Sequence, residues 1–248
     1  VIRANIRGQK VLGIASTLDG LPFELVVRKA IAQAAGVTEK SPLDKRMAAL
    51  KGKKVSITSI NTIPHVYLRY LLRKGGMNSE RDITVVSMRP DAGIAALKAG
   101  TIDGYIQAPP WPIIAVRQAG GVRLASALRG DLPEMNPFAF NIVVTRPDVC
   151  EKRPSVCEKL LAGYLDGMQF MHEHPKESVA ILAKKMPKIN PEVLQEAFDL
   201  IVPVTPKTTK MNMKGLEHAQ ELMVSGGMIK ANEKLASFDG IVTNKYSK

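Results

Sequence analysis

The chain has 248 residues, 45% of them hydrophobic and 23% charged, with a formal net charge of +12. That length and balance suit a globular protein of one large or two small domains with a real core, and no apolar run approaches the roughly 18 residues of a membrane-spanning helix. The basic residues are scattered and aromatics make up 5%, so the concentrated, aromatic-laced basic face of a nucleic-acid binder is missing and no nucleic-acid partner is expected. A basic surface still attracts small anions or an anionic membrane.

No basic–apolar leader is visible at Val1, an appearance that a cleaved leader would also leave. Residues 11–15 read as a short apolar strand, and Ser16-Thr17-Leu18-Asp19-Gly20 as a turn. Residues 22–28 (Pro-Phe-Glu-Leu-Val-Val-Arg) read as a second strand, alternating enough to be exposed on one side. The charged, alanine-rich connector 29–51 holds a helix and then a second short one that stops at Gly52.

From Lys53 to Leu124 the chain repeats strand, small-polar turn and helix three times before a fourth strand. Residues 54–58 are strand. In the turn Ser59-Ile60-Asn61-Thr62-Ile63-Pro64, Asn61 or Thr62 caps a helix with Pro64 in its first turn, where a missing N–H costs nothing. Ile63, Tyr67 and Leu71 share one face of that helix, and Arg73, Lys74 and Gly75-Gly76 end it. Residues 82–88 are strand, Pro90 and Asp91 open a helix to Gly100 with Asp91 as its cap, and 102–107 are strand. Pro109-Pro110-Trp111-Pro112 is a rigid turn into helix 113–119, and 122–125 is the fourth strand. This alternation predicts an α/β fold with right-handed crossovers and a mainly parallel sheet.

Residues 129–137 read as loop and 138–145 as strand. Then come proline-opened amphipathic helices at 154–173, 175–186 and 191–201, with Val156, Leu160, Tyr164, Met168 and Met171 as the apolar stripe of the first. A further helix covers 213–224. The stretch 229–248 is polar with weak signals. Strands 22–28 and 138–145 read as the two passes between lobes, dividing the chain into 1–27 plus 139–248 and 28–138. Pockets often form at such interfaces, and the passing strands serve as hinges.

Cys150 and Cys157 flank Pro154, where a bend brings the sulfurs within bridging reach. A disulfide, and with it an oxidising compartment, is the expectation; two buried thiols are the alternative. Gly-x-Ser-x-Gly, a phosphate-binding glycine loop and a paired His–Glu zinc motif are all missing. No catalytic residue, cofactor or metal is therefore expected. Gly93 and Gly75-Gly76 read as helix-edge glycines.

Several pieces, in this order and spacing, carry a family resemblance: 2–8 (Ile-Arg-Ala-Asn-Ile-Arg-Gly), 22–28, 50–55 (Leu-Lys-Gly-Lys-Lys-Val) with its small-polar turn, 95–104 (Ala-Ala-Leu-Lys-Ala-Gly-Thr-Ile-Asp-Gly), Pro110-Trp111 and 175–184. From Ile2 to Met228 the chain resembles the solute-binding proteins of ABC importers for nitrate, sulfonate and taurine, together with their thiamine-pyrimidine relatives. The resemblance implies a two-lobed type II periplasmic binding fold, capture of a small organic anion or sulfonate, delivery to a membrane permease, and a periplasmic or extracellular, membrane-associated location. Family members also carry a leading strand–helix–strand that completes the first lobe, which this sequence lacks, so the resemblance implies an incomplete first lobe. Two other functions accompany the fold: a pyrimidine-synthase-like enzyme, whose cysteine-rich iron motif has no counterpart here, and a ligand-sensing input module.

Ser59, Asn61 and Thr62 match the family's ligand-contacting turn, where side-chain oxygens and free N–H groups hold a carboxylate or sulfonate. His65 follows in the first helical turn, facing either solute or solvent. Arg89, at the end of the second strand, suits bidentate pairing with an acidic solute. Gln107 ends the third strand, where open parallel sheets bind ligands. Trp111 stands where the family places a large side chain against the cleft. Ser16, Thr17, Phe138 and Asn141 are secondary candidates.

Overall fold

A computed structural model of the chain describes residues 1–247. In chain order its elements are α1 (Ile2–Ile6), β1 (Leu12–Leu18), β2 (Glu24–Arg28), α2 (Lys29–Ala34), α3 (Leu43–Ala48), β3 (Lys54–Ile57), α4 (Ile63–Lys74), β4 (Thr84–Ser87), α5 (Pro90–Ala99), β5 (Gly104–Gln107), α6 (Trp111–Ala119) and β6 (Gly121–Ser126). After two short 3₁₀ turns follow β7 (Asn141–Thr145), α7 (Pro147–Lys152), α8 (Pro154–Glu173), α9 (Pro175–Lys185), α10 (Pro191–Ile201) and α11 (Met213–Ser225). The chain divides into two compact units. The first comprises Val1–Leu21, Glu134–Glu221 and the chain from Ile229 onward; the second comprises Pro22–Pro133 and Leu222–Met228.

The second unit is built on a five-stranded sheet of order β4-β3-β5-β2-β6. β3 pairs in parallel with β4 and β5, whereas β2 runs antiparallel to both β5 and β6. The sheet is therefore mixed, with one reversed strand inside it. β2 also departs from its predicted one-sided exposure: Glu24, Leu25, Val26 and Val27 are all buried. An interior strand is covered on both faces, and its buried Glu24 is met by Arg123 and Arg129, remote in sequence.

Helix α4 is buried on most of its surface, with Val66, Tyr67, Leu68, Leu71 and Leu72 all inside. Gly93 lies within α5 rather than at its edge. A Cβ there would stand 2.4 Å from Tyr105 Cε2, so only glycine lets α5 approach the sheet this closely.

In the first unit β1 and β7 form an antiparallel pair, Leu12 facing Thr145 and Leu18 facing Asn141. Gly13 makes a parallel bridge to Val242. Cys150 and Cys157 form a disulfide linking α7 to α8, with Cα atoms 5.6 Å apart. Both are buried beside Ile14, Ala15, Leu161 and Tyr246. That pinning reverses most of the predicted stripe of α8: Cys157, Leu161 and Met168 face inward, while Val156, Leu160 and Tyr164 are exposed. The helix carries two apolar stripes, so periodicity alone could not choose between them.

Candidate functional site

The carboxyl ends of β3, β4 and β5 lie along one edge of the second unit's sheet, and each feeds directly into a helix: β3 into α4, β4 into α5, β5 into α6. All three helices carry proline in their first two positions, and none has an N-cap side chain hydrogen-bonded to its amides. Proline fixes the entry backbone and removes a donor that the helix cannot use. The positive ends of three helix dipoles are thus set at one sheet edge, although in α5 the Ala92 N–H already donates to the Asp91 carboxylate and in α6 the Trp111 N–H donates to the Ala108 carbonyl at 3.3 Å.

The turn between β3 and α4 has its own internal lock. Thr62 occupies the N-cap with extended backbone, but its hydroxyl donates back to the Ser59 carbonyl at 2.5 Å and does not cap the helix. Asn61 adopts a left-handed conformation, φ 58°, rare for a side-chain-bearing residue. Its N–H donates to Nδ1 of His65 at 3.1 Å. His65 is 5% exposed, and burial, with Arg69 close by, lowers its pKa against a smaller opposing pull from Glu80. The imidazole is therefore a neutral acceptor, neither a solvated side chain nor a charged one. Ser59 and Asn61 are exposed and Thr62 is half-buried.

Gln107, buried at the end of β5, donates from Nε2 to Thr58 Oγ1 at 2.7 Å, tying two adjacent strand ends together. Arg89 stands at the N-cap of α5 with its side chain 84% exposed, and its Nη2 donates to Asp91 Oδ2 at 3.2 Å. Asp91 lies one residue inside the helix beyond Pro90, not at the cap, and its carboxyl sits below the usual range because the Ala92 N–H donates to it. Trp111 opens α6 and packs, partly buried, against a cluster of Val26, Leu97, Ile102, Tyr105 and Ala115.

Sequence reasoning missed Thr58 and Tyr105. The Tyr105 hydroxyl donates to the Pro90 carbonyl at 2.9 Å, and burial raises its pKa, keeping it a neutral donor that holds the start of α5. Thr58 was legible as the polar residue ending an apolar run; nothing local marks Tyr105. Ser59, Asn61, Thr62, His65, Arg89, Gln107 and Trp111 all belong to the second unit.

The secondary candidates belong to the first unit. The Ser16 hydroxyl, buried, donates to Asp19, and Thr17 Oγ1 donates to the Asn141 carbonyl at 3.3 Å. Phe138 is a core residue. Thr17 and Asn141 line a groove of about 350 Å³ with Gly163, Tyr164 and Gly167.

A model of the NMT1-like family matches residues 8–203. The chain belongs to the NMT1-like family. This NMT1-like chain is 26% identical over 151 residues to the nitrate/nitrite binding protein NrtA of Synechocystis sp., covering 60% of this chain and 33% of that protein, so it spans about a third of that relative. Its fold matches that of the periplasmic aliphatic sulphonate binding protein SsuA from Escherichia coli with TM-score 0.70 at 22% identity, over 99% of this chain and 77% of that one. The same fold is shared with the desulfurization enzyme DSZB, TM-score 0.62 at 14% identity, over 96% and 78% of the two chains. The NMT1-like chain thus has the type II fold of periplasmic binding proteins.

Proposed function

We propose that the chain is the solute-binding component of an ABC importer, working in the periplasm, that captures a small anion of the nitrate or sulfonate class and passes it unchanged to a permease. The observation that carries this reading is the set of three proline-opened helix N-termini without side-chain caps, placed together at the carboxyl edge of β3, β4 and β5. Backbone amides and helix dipoles hold a small anion without reacting with it. Ser59, Asn61, Thr62, Arg89, Gln107 and Trp111 surround that edge as the side chains that shape and select the solute. Family membership adds weight, because the relatives include proteins named for nitrate and sulfonate binding. Among the described residues no helix is long and apolar enough to cross a membrane, in keeping with a component that meets its permease at the membrane surface.

Isothermal titration with nitrate, nitrite, bicarbonate, taurine and short alkanesulfonates tests the proposal. At least one should bind stoichiometrically and be recovered intact by mass spectrometry. No binding across the panel would contradict the anion assignment, and conversion of the bound compound would favour an enzyme on the fold it shares with the desulfurization protein.

A further inference from the structure

Asn61 is the one non-glycine residue with positive φ among those described. Asparagine is among the few side-chain-bearing residues that enter the left-handed region readily, and here its backbone is tied to a specific partner. The N–H of Asn61 points to His65 Nδ1, 3.1 Å away and four residues on. The hydroxyl that would ordinarily close this helix, that of Thr62, is turned back to Ser59. The imidazole, at the third helical position, thus reaches back to the turn much as the third residue of a capping box does, here to the amide just before the N-cap. Nδ1 can accept this bond only without a proton, which places the ring proton on Nε2.

We propose that His65 is a positioning residue of the anion site: its neutral Nδ1 locks residues 58–62 in the conformation that offers the first amides of α4 to the anion, and protonation of the ring releases that lock. This deepens the anion-binding reading and rests on it. His65 contacts no anion in this account; it acts through Asn61. Protonated, Nδ1–H would face Asn61 N–H, two donors with no acceptor between them, and the turn would have to rotate away. The charged groups that act on the ring are Arg69, one turn further along α4, and Glu80, from the segment before β4, and they oppose each other. The sign follows. The folded state disfavours imidazolium, so the lock is complete above about pH 6.5, the ordinary histidine value, and is lost as pH falls through the lower value of the folded protein.

The test uses nitrate or ethanesulfonate, both fully ionised throughout, titrated into the chain from pH 7.5 to 4.5. The wild type should bind with constant affinity near neutrality and lose about tenfold per pH unit once His65 protonates, the limit for one coupled proton. His65→Leu should weaken binding at every pH. His65→Asn, whose amide oxygen replaces Nδ1 as a non-titrating acceptor, should recover most of that loss and show no acid-side fall. A flat wild-type profile overturns the proposal. So does tighter binding at low pH, which would make imidazolium itself an anion ligand. NMR of the unliganded protein decides the lock separately. The ring should be the Nε2–H tautomer, and the Asn61 amide shift should follow the titration of His65; an Nδ1–H ring overturns the proposal whatever binds. Failure of every anion to bind at any pH, with the Asn61–His65 coupling intact, would instead remove the functional reading and leave the lock as a property of the fold.

Discussion

Glu24 is wholly buried at the amino end of β2, and both Arg123 Nε and Arg129 Nε approach its Oε1 at 2.9 Å. Arg46 extends the network, donating to the Leu124 carbonyl at 2.7 Å and to Asp131 at 2.6 Å, while the second Asp131 oxygen accepts from Ser126 N–H. Because Glu24 faces Gln107 on one neighbouring strand and Ser126 on the other, this charge cluster lies at the same sheet edge as the candidate site. Removing one member of a buried ion pair leaves the other charges desolvated and unbalanced. Glu24→Gln should therefore destabilise the fold by about 3–5 kcal/mol, read as a lower midpoint in urea denaturation. A change under 1 kcal/mol would show that water, not Glu24, satisfies those arginines. The alternation of 22–28 suggested one exposed face; the partners that allow Glu24 to be buried lie about a hundred positions away and could not be read locally. His65 was equally illegible in burial, though not in position: the motif 59–64 located the turn, but only the packing of α4 decides that the ring points inward.

Among the elements, the approach of α5 to the sheet sets where its amino end stands. Gly93 lies against the Tyr105 ring, and that ring is fixed at its far end by the hydrogen bond to the Pro90 carbonyl. A methyl group at 93 would need the ring or the helix to move, and either motion displaces the start of α5. Gly93→Ala should cost about 1–3 kcal/mol as an overpacked contact and also weaken anion binding, measured by thermal unfolding and calorimetry on one preparation. Unchanged stability and affinity would mean that α5 yields without consequence to the site. The elements themselves were largely legible, since prolines announce α4, α5 and α6 and the helices α8 and α10 to within a residue or two. Strand direction was not. A run of β-branched residues says nothing about its neighbours, so the reversed β2 within an otherwise parallel set was beyond local reading. Which stripe of α8 faces inward was likewise settled by the Cys150–Cys157 bond and not by periodicity.

Over the whole molecule, the net charge of +12 favours the approach of anions. The seven principal candidates, spread between Ser59 and Trp111, fall in one compact unit. Four of them, Ser59, Asn61, Thr62 and His65, form one hydrogen-bonded turn, and Gln107 joins the adjacent Thr58. Family membership accounts for the fold; the proposal of an anionic guest rests on the three helix starts gathered at one sheet edge. The most direct measurement is an amide NMR titration of the intact chain with nitrate and with ethanesulfonate. Saturable shifts should concentrate in residues 58–66, 89–92 and 108–113, the three strand-to-helix turns. Saturable binding that leaves those amides unmoved, with the shifts lying elsewhere in the chain, would contradict the proposal.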